Sequence, residues 1–323
     1  MRRRDFIKAV AGSAASWPLA ARAQQPKRMR RIGVLLFARP DRAIISPLIQ
    51  QLETLGYIDG KTAAIEYRDG NGMPEYVVQA ADELVRLSPE VIFAFGGDIA
   101  PIIKRATATI PIVVVVSNDP VASGLVPSLA RPGGNITGLT QVHDTLAGKP
   151  VELLKDTVPA VSRVAILWNP QHADPEFRET ERASRSLGVQ LQSLEVRRPE
   201  DLAGAFGAAE RERAEAMIVV GSRLLNLNRR SIGDFAAKQR LILLGNPGWL
   251  MEIGALMSYG PNEAELHRRA ATYVDKILKG ARPADLPMQQ PTTFDLNINM
   301  LVAKRLGITV PPTVLARADK VIE

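Results

Sequence analysis

Short apolar, β-branched runs alternate with amphipathic segments along this chain, and the whole alternation occurs twice. In the first half the runs are "RIGVLLF" (31–37), "AAIEY" (63–67), "VIFAF" (91–95) and "IVVVV" (112–116), separated by helical patterns over 44–56, 75–87 and 99–108. Strands that are apolar at every position need cover on both faces, and a helix between two strands makes them parallel. The pattern therefore predicts the α/β class, with parallel sheets flanked by helices. In the first helix Ile44, Ile45, Leu48, Leu52 and Leu55 share one face, as packing on a sheet requires.

The second half repeats the first at a nearly fixed offset. Arg31–Leu36 aligns with Arg163–Trp168, and Leu55-Gly56 with Leu187-Gly188, both 132 residues on. "EVIFAFGG" (90–97) aligns with "EAMIVVGS" (215–222) at offset 125. Two similar βα lobes follow, and between them a cleft at the carboxyl ends of two parallel sheets, where open α/β folds bind ligands.

The candidate contacts are the turns that follow strands. In the first lobe these carry Phe37, Asp98, Asn118 and Asp119; in the second they carry Trp168, Asn169, Ser222 and Asn246. Asn118, Asp119 and Asn169 would supply hydrogen bonds and charge, and Phe37 apolar area. Trp168 is one of three tryptophans and ends a strand, so it either stacks on an apolar ligand or belongs to the core. Asp98 and Asp119 either meet a ligand ammonium group or cap the helix that follows.

Other chemistries lack their residues. Gly133–Gly138 follows Arg131-Pro132 and leads into a short β run, which suits a tight turn and not a phosphate loop opening a helix. The three histidines, His143, His172 and His267, have no metal-site spacing, and His267 beside Arg268 and Arg269 is expected on the wet face of its helix. Ser222 lacks the second glycine of a nucleophile elbow. No catalytic residue, cofactor or metal is expected, and the chain reads as a binder, not an enzyme.

The net charge of +7 invites a nucleic-acid reading, but it is concentrated at the start. Residues 1–31 hold nine basic and one acidic residue, leaving 32 basic and 33 acidic residues in the remainder. The opening "MRRRDFIKAVAGSAASWPLAARAQQ" has a basic start, a mild apolar segment and Ala21-Arg22-Ala23 as a cleavage site, so 1–23 is expected to be an export signal. Arg3-Arg4-Asp5-Phe6-Ile7-Lys8 resembles the twin-arginine export motif. With no cysteine in the chain there is no lipid-anchor site, and a free periplasmic protein is expected, with the export machinery as a transient partner and no nucleic acid.

Several stretches resemble a known family: "LETLGYIDGKTAAIEYRDG", "SNDPVASGLVPSLARPGGNITGL", "LLKDTVPAVSRVAILWNP", the 258–287 block beginning "SYGPNEAELHRRAATYVDKILKG", and the closing "VPPTVLARADKVIE". Together they resemble the ABC-transporter substrate-binding proteins that include tryptophan- and phenylalanine-binding members, across residues 30–323. The resemblance implies a periplasmic binding protein of the first structural type, with two Rossmann-like lobes joined by a hinge of crossing strands. It implies a first lobe of 30–139 plus 258–287 and a second of 140–257 plus 288–323. Tyr259, on a crossing segment, would face the ligand or lock the hinge. The implied activity is closure on an aromatic amino acid or another aromatic or carboxylated solute, which passes to a permease in the inner membrane. The rival reading is a periplasmic sensor that presents its closed form to a signalling partner. A repressor would need a helix-turn-helix before Arg31, and none fits.

Overall fold

A computed structural model describes residues 29–39, 41–141, 148–172, 176–246 and 248–323; residues 1–23, expected to be an export signal, and His143 lie outside the described residues. The first sheet contains β1 (Arg30–Leu36), β2 (Ala63–Asp69), β3 (Val91–Phe95), β4 (Ile112–Val116) and β5 (Ile136–Thr140) in the order β2-β1-β3-β4-β5, all parallel. Alternate residues of β4 serve opposite faces: Val113 and Val115 join one apolar cluster, and Ile112, Val114 and Val116 the other. That two-sided burial is why "IVVVV" has no polar position.

The second sheet holds β6 (Arg163–Trp168), β7 (Gln190–Glu195), β8 (Ala216–Val219), β9 (Ile242–Gly245), β10 (Met257–Pro261), β11 (Phe294–Asn299) and β12 (Lys320–Ile322). Its order is β12-β11-β10-β9-β8-β6-β7, so β7-β6-β8-β9-β10 repeats the winding of the first sheet. β11 pairs antiparallel with β10 because it enters the sheet directly from the hinge. Among the described residues no helix is long and apolar enough to cross a membrane.

The hinge differs from expectation in one respect. Ser258 was expected to mark the return to the first lobe, but Met257–Pro261 is a strand of the second sheet, paired with β9 and β11. The chain crosses at Asn262, whose side chain caps the helix Glu263–Leu278 by accepting from the Glu265 amide at 2.7 Å and donates to both oxygens of Asp295 at 3.0 and 2.9 Å. That helix packs on the first sheet, with Leu266, Ala270, Tyr273 and Val274 in the same cluster as Leu48 and Leu52. The following segment pairs with the first sheet at Gln289, whose amide donates to the Gly138 carbonyl at 3.0 Å, before returning through β11.

Two helices also depart from their predicted form. The 44–56 helix divides into Asp41–Ile44 and Ser46–Thr54, with Pro47 in the first turn of the second piece, where its missing N–H costs nothing. Ile44 consequently leaves the buried stripe and faces the space between the lobes. His267 is fully buried, not on a wet face, with its ring edge-on to Phe93 and Phe95 at centroid distances of 6.1 and 5.0 Å. Burial lowers its pKa to about 4, so the ring is neutral.

Candidate functional site

The carboxyl ends of the two sheets face each other across a cavity of about 450 Å³. The first lobe contributes Asp41, Phe95, Gly96, Asp98 and Ser117, and the second Ser222, Arg223, Asn246 and the turn carrying Trp249 and Glu252. Pro261 and Glu263, on the crossing from β10 into its helix, line the hinge side.

Arg223 dominates the geometry. It is the first residue of the short helix Arg223–Leu227, whose N-terminus is capped by Ser222 accepting from the Leu225 amide at 3.3 Å. Its guanidinium reaches into the other lobe. Nε donates to Asp98 at 3.2 Å, Nη1 lies 3.8 Å from Asp41, and the carbon between them sits 4.2 Å from the centre of the Phe37 ring. Gly96 has φ +122°, and a Cβ there would stand 3.0 Å from Nη2 and 2.8 Å from the Asp98 carboxylate, so a larger residue would be strained and would push the ends of this pair aside. Desolvation raises the Asp41 pKa, opposed by the positive charge of Arg223. A second contact joins the lobes where Ser117 Oγ meets His172 Nε2 at 3.1 Å.

Of the nine expected site residues, Asp98, Ser222 and Asn246 line the cavity. Asn246 accepts from the Gly221 amide at 3.2 Å and donates to Glu176, so it braces the second lobe's rim. Tyr259 lines a small neighbouring void of about 30 Å³ and stacks on Phe294 at 5.9 Å, which places it in the hinge. Phe37 is 3% exposed and meets the cavity only through the arginine above it.

The others serve locally. Asn118 is buried against Gly97, and its Oδ1 has no hydrogen-bond partner among the described residues. Asp119 accepts from the Val121 and Ala122 amides at 2.8 and 3.1 Å, and Asn169 from Gln171 at 2.9 Å. Trp168 stacks on Phe177 at 4.3 Å, nearly parallel, and donates to Ser193 at 2.9 Å, outside the residues that line the cleft. A strand-end position does not specify which face of the sheet a side chain serves, and Trp168 serves the helix-covered one.

Sequence reasoning missed Asp41, Phe95, Trp249 and Glu263, and it placed Arg223 in a candidate turn, Gly221-Ser222-Arg223, without giving it a role. For Arg223 a signal was present, because Asp98 and Arg223 stand 125 residues apart, the offset of the internal repeat around them. They are corresponding positions of the two lobes, with opposite charge.

A cleft closed by two repeated α/β lobes defines a two-lobed binding protein of the type 1 periplasmic class. The family model for ABC transporter substrate binding proteins matches residues 33–322, and the chain belongs to that family, whose members bind and do not catalyse. A "Tyrosine-binding protein" of Clostridioides difficile is 23% identical over 263 residues, covering 80% of this chain and 75% of the relative. A conserved domain protein from Vibrio cholerae superposes with TM-score 0.83 at 28% identity, over 91% of this chain and 100% of the other. An ABC domain from Streptococcus pneumonia, solved in complex with L-Trp, gives 0.82 at 25% identity over the same shares.

Proposed function

We propose that this protein is the solute receptor of an ABC importer: it closes its lobes on a small amino-acid-like ligand in the cleft and delivers it to a membrane permease. Export of the chain and removal of residues 1–23 would place it in the periplasm. The observation that carries the reading is Arg223, a second-lobe residue held by Asp98 and Asp41 of the first lobe across a cavity of ligand size. Contacts that exist only when the lobes meet lower the free energy of the closed form, and a ligand touching both lobes adds its differential affinity.

The cavity supports a ligand with an apolar body, because Phe95 and Trp249 line it alongside the polar groups. The tyrosine and tryptophan named for the relatives support an aromatic amino acid. The test is calorimetry and thermal shift on residues 24–323 with aromatic and aliphatic amino acids. A bound ligand should raise the melting temperature with the logarithm of its concentration. Saturable binding that also survives mutation of every cleft residue would overturn the site.

A further inference from the structure

Five carboxylates line the cleft, and four of them have partners. Asp98 and Asp41 face Arg223, Glu252 lies 3.7 Å from Arg229, and Glu176 accepts from Asn246. Glu263 has no ion pair or side-chain hydrogen bond among the described residues. Both arginines of the lining are engaged, Arg223 as described and Arg229 with Glu252 and Asn226. The cleft therefore presents one anion without a counter-charge, and each of its guanidinium groups is already in use.

The position of Glu263 is fixed by its helix. It is the first residue after the Asn262 cap, one turn before His267, which lies against Phe95. Phe95 itself lines the cavity, so Glu263 stands at the cavity end of that helix face beside an apolar wall. The helix N-terminus favours its ionised form, and its side chain is exposed at the cleft wall. An ionised carboxylate that faces the cleft with no counter-charge attracts a ligand cation, and lobe closure over the pair shields it from water and strengthens it.

Resting on the reading of the cleft as the ligand site, we propose that Glu263 selects ligands carrying a protonated amine, forming with it the one ion pair the empty cleft lacks. The ligand's carboxylate, where it has one, meets neutral donors and not a free arginine. Specificity is then set by the amine, and an amine without a carboxylate keeps most of its affinity.

The test uses residues 24–323 and three compound series: L-tryptophan, tryptamine and indole-3-propionate; L-tyrosine, tyramine and 3-(4-hydroxyphenyl)propionate; L-leucine, isoamylamine and 4-methylpentanoate. Within the series that binds, the amino acid and the amine should bind at least roughly tenfold more tightly than the des-amino acid. Glu263→Gln should weaken both amine ligands roughly thirtyfold or more and leave the des-amino acid unchanged, with Glu263→Asp recovering part of the loss. Melting temperatures of the free variants separate lost binding from lost folding. Equal binding of the des-amino acid, or amine affinities within twofold in Glu263→Gln, overturns the proposal and leaves the cleft as the ligand site. Failure of all nine compounds to bind the wild-type chain removes the amino-acid reading and this inference together.

Discussion

Arg223 of the second lobe donates to Asp98 of the first at 3.2 Å, and the two are corresponding residues of the internal repeat. Each lobe places this position in the turn after its third strand, β3 or β8, so the pseudo-symmetric lobes bring the two turns face to face when closed. A Gly-Asp in one turn and a Ser-Arg in the other convert that symmetry into attraction.

Replacing Arg223 should therefore loosen closure more than it harms the fold. The charge pair is partly exposed and contributes up to about 1 kcal/mol, and the contact over Phe37 about as much again. Arg223→Ala is expected to weaken ligand binding roughly 5- to 30-fold by calorimetry, with the loss mainly in a faster dissociation rate. An unchanged dissociation constant would contradict the role.

Trp168 is expected to act on stability alone. Trp168→Ala removes the stack on Phe177 and the bond to Ser193, which should lower stability by about 2–3 kcal/mol in urea unfolding while leaving ligand affinity within twofold. The opposite pattern would return this tryptophan to the binding site.

His267 makes a pH-dependent contribution whose sign follows from its burial. Its pKa falls from 6.5 in the unfolded chain to about 4 in the fold, so the unfolded state binds the extra proton first as pH drops. Stability from this residue is complete above about pH 6.5 and declines towards pH 4, by about 2 kcal/mol at pH 5. His267→Phe should remove that part of the acid sensitivity. The difference between variant and wild-type stability, measured at pH 7 and pH 5, reads it directly.

Gly138 lies at φ +145°, and a Cβ there would stand 2.0 Å from the Val114 carbonyl oxygen of the neighbouring strand. Gly138→Ala must push β5 away from β4 or strain its own backbone, and a loss of at least about 2 kcal/mol is expected by thermal unfolding. A melting temperature equal to wild type would show that this edge gives way freely.

The strands were readable because short runs that are apolar at every position leave no other consistent burial, and "VIFAF" and "IVVVV" coincide with β3 and β4. The buried stripe Leu266, Ala270, Tyr273, Val274, Ile277 and Leu278 was readable from its helical spacing. His267 was not, because two neighbouring arginines suggested water while the stripe is wide enough to include it. The cleft was the least legible part. Asp98, Ser222 and Asn246 follow from strand-end position, but the Arg223 clamp forms between segments joined only through the hinge, and no local pattern encodes a contact between two lobes. Glu263 was hidden for a related reason: a carboxylate after an Asn cap reads as an ordinary helix start until the cavity beside it is seen.

The central claim is that the lobes close over a ligand held between them. The chain has no cysteine, so Glu75→Cys and Glu200→Cys, exposed on opposite lobes, would carry the only two spin labels. The account predicts that a saturating ligand shifts the label-to-label distance distribution to a single shorter, narrower peak, and that Arg223→Ala broadens the ligand-free distribution towards longer distances. A distribution that is the same with and without bound ligand would contradict closure as the mechanism.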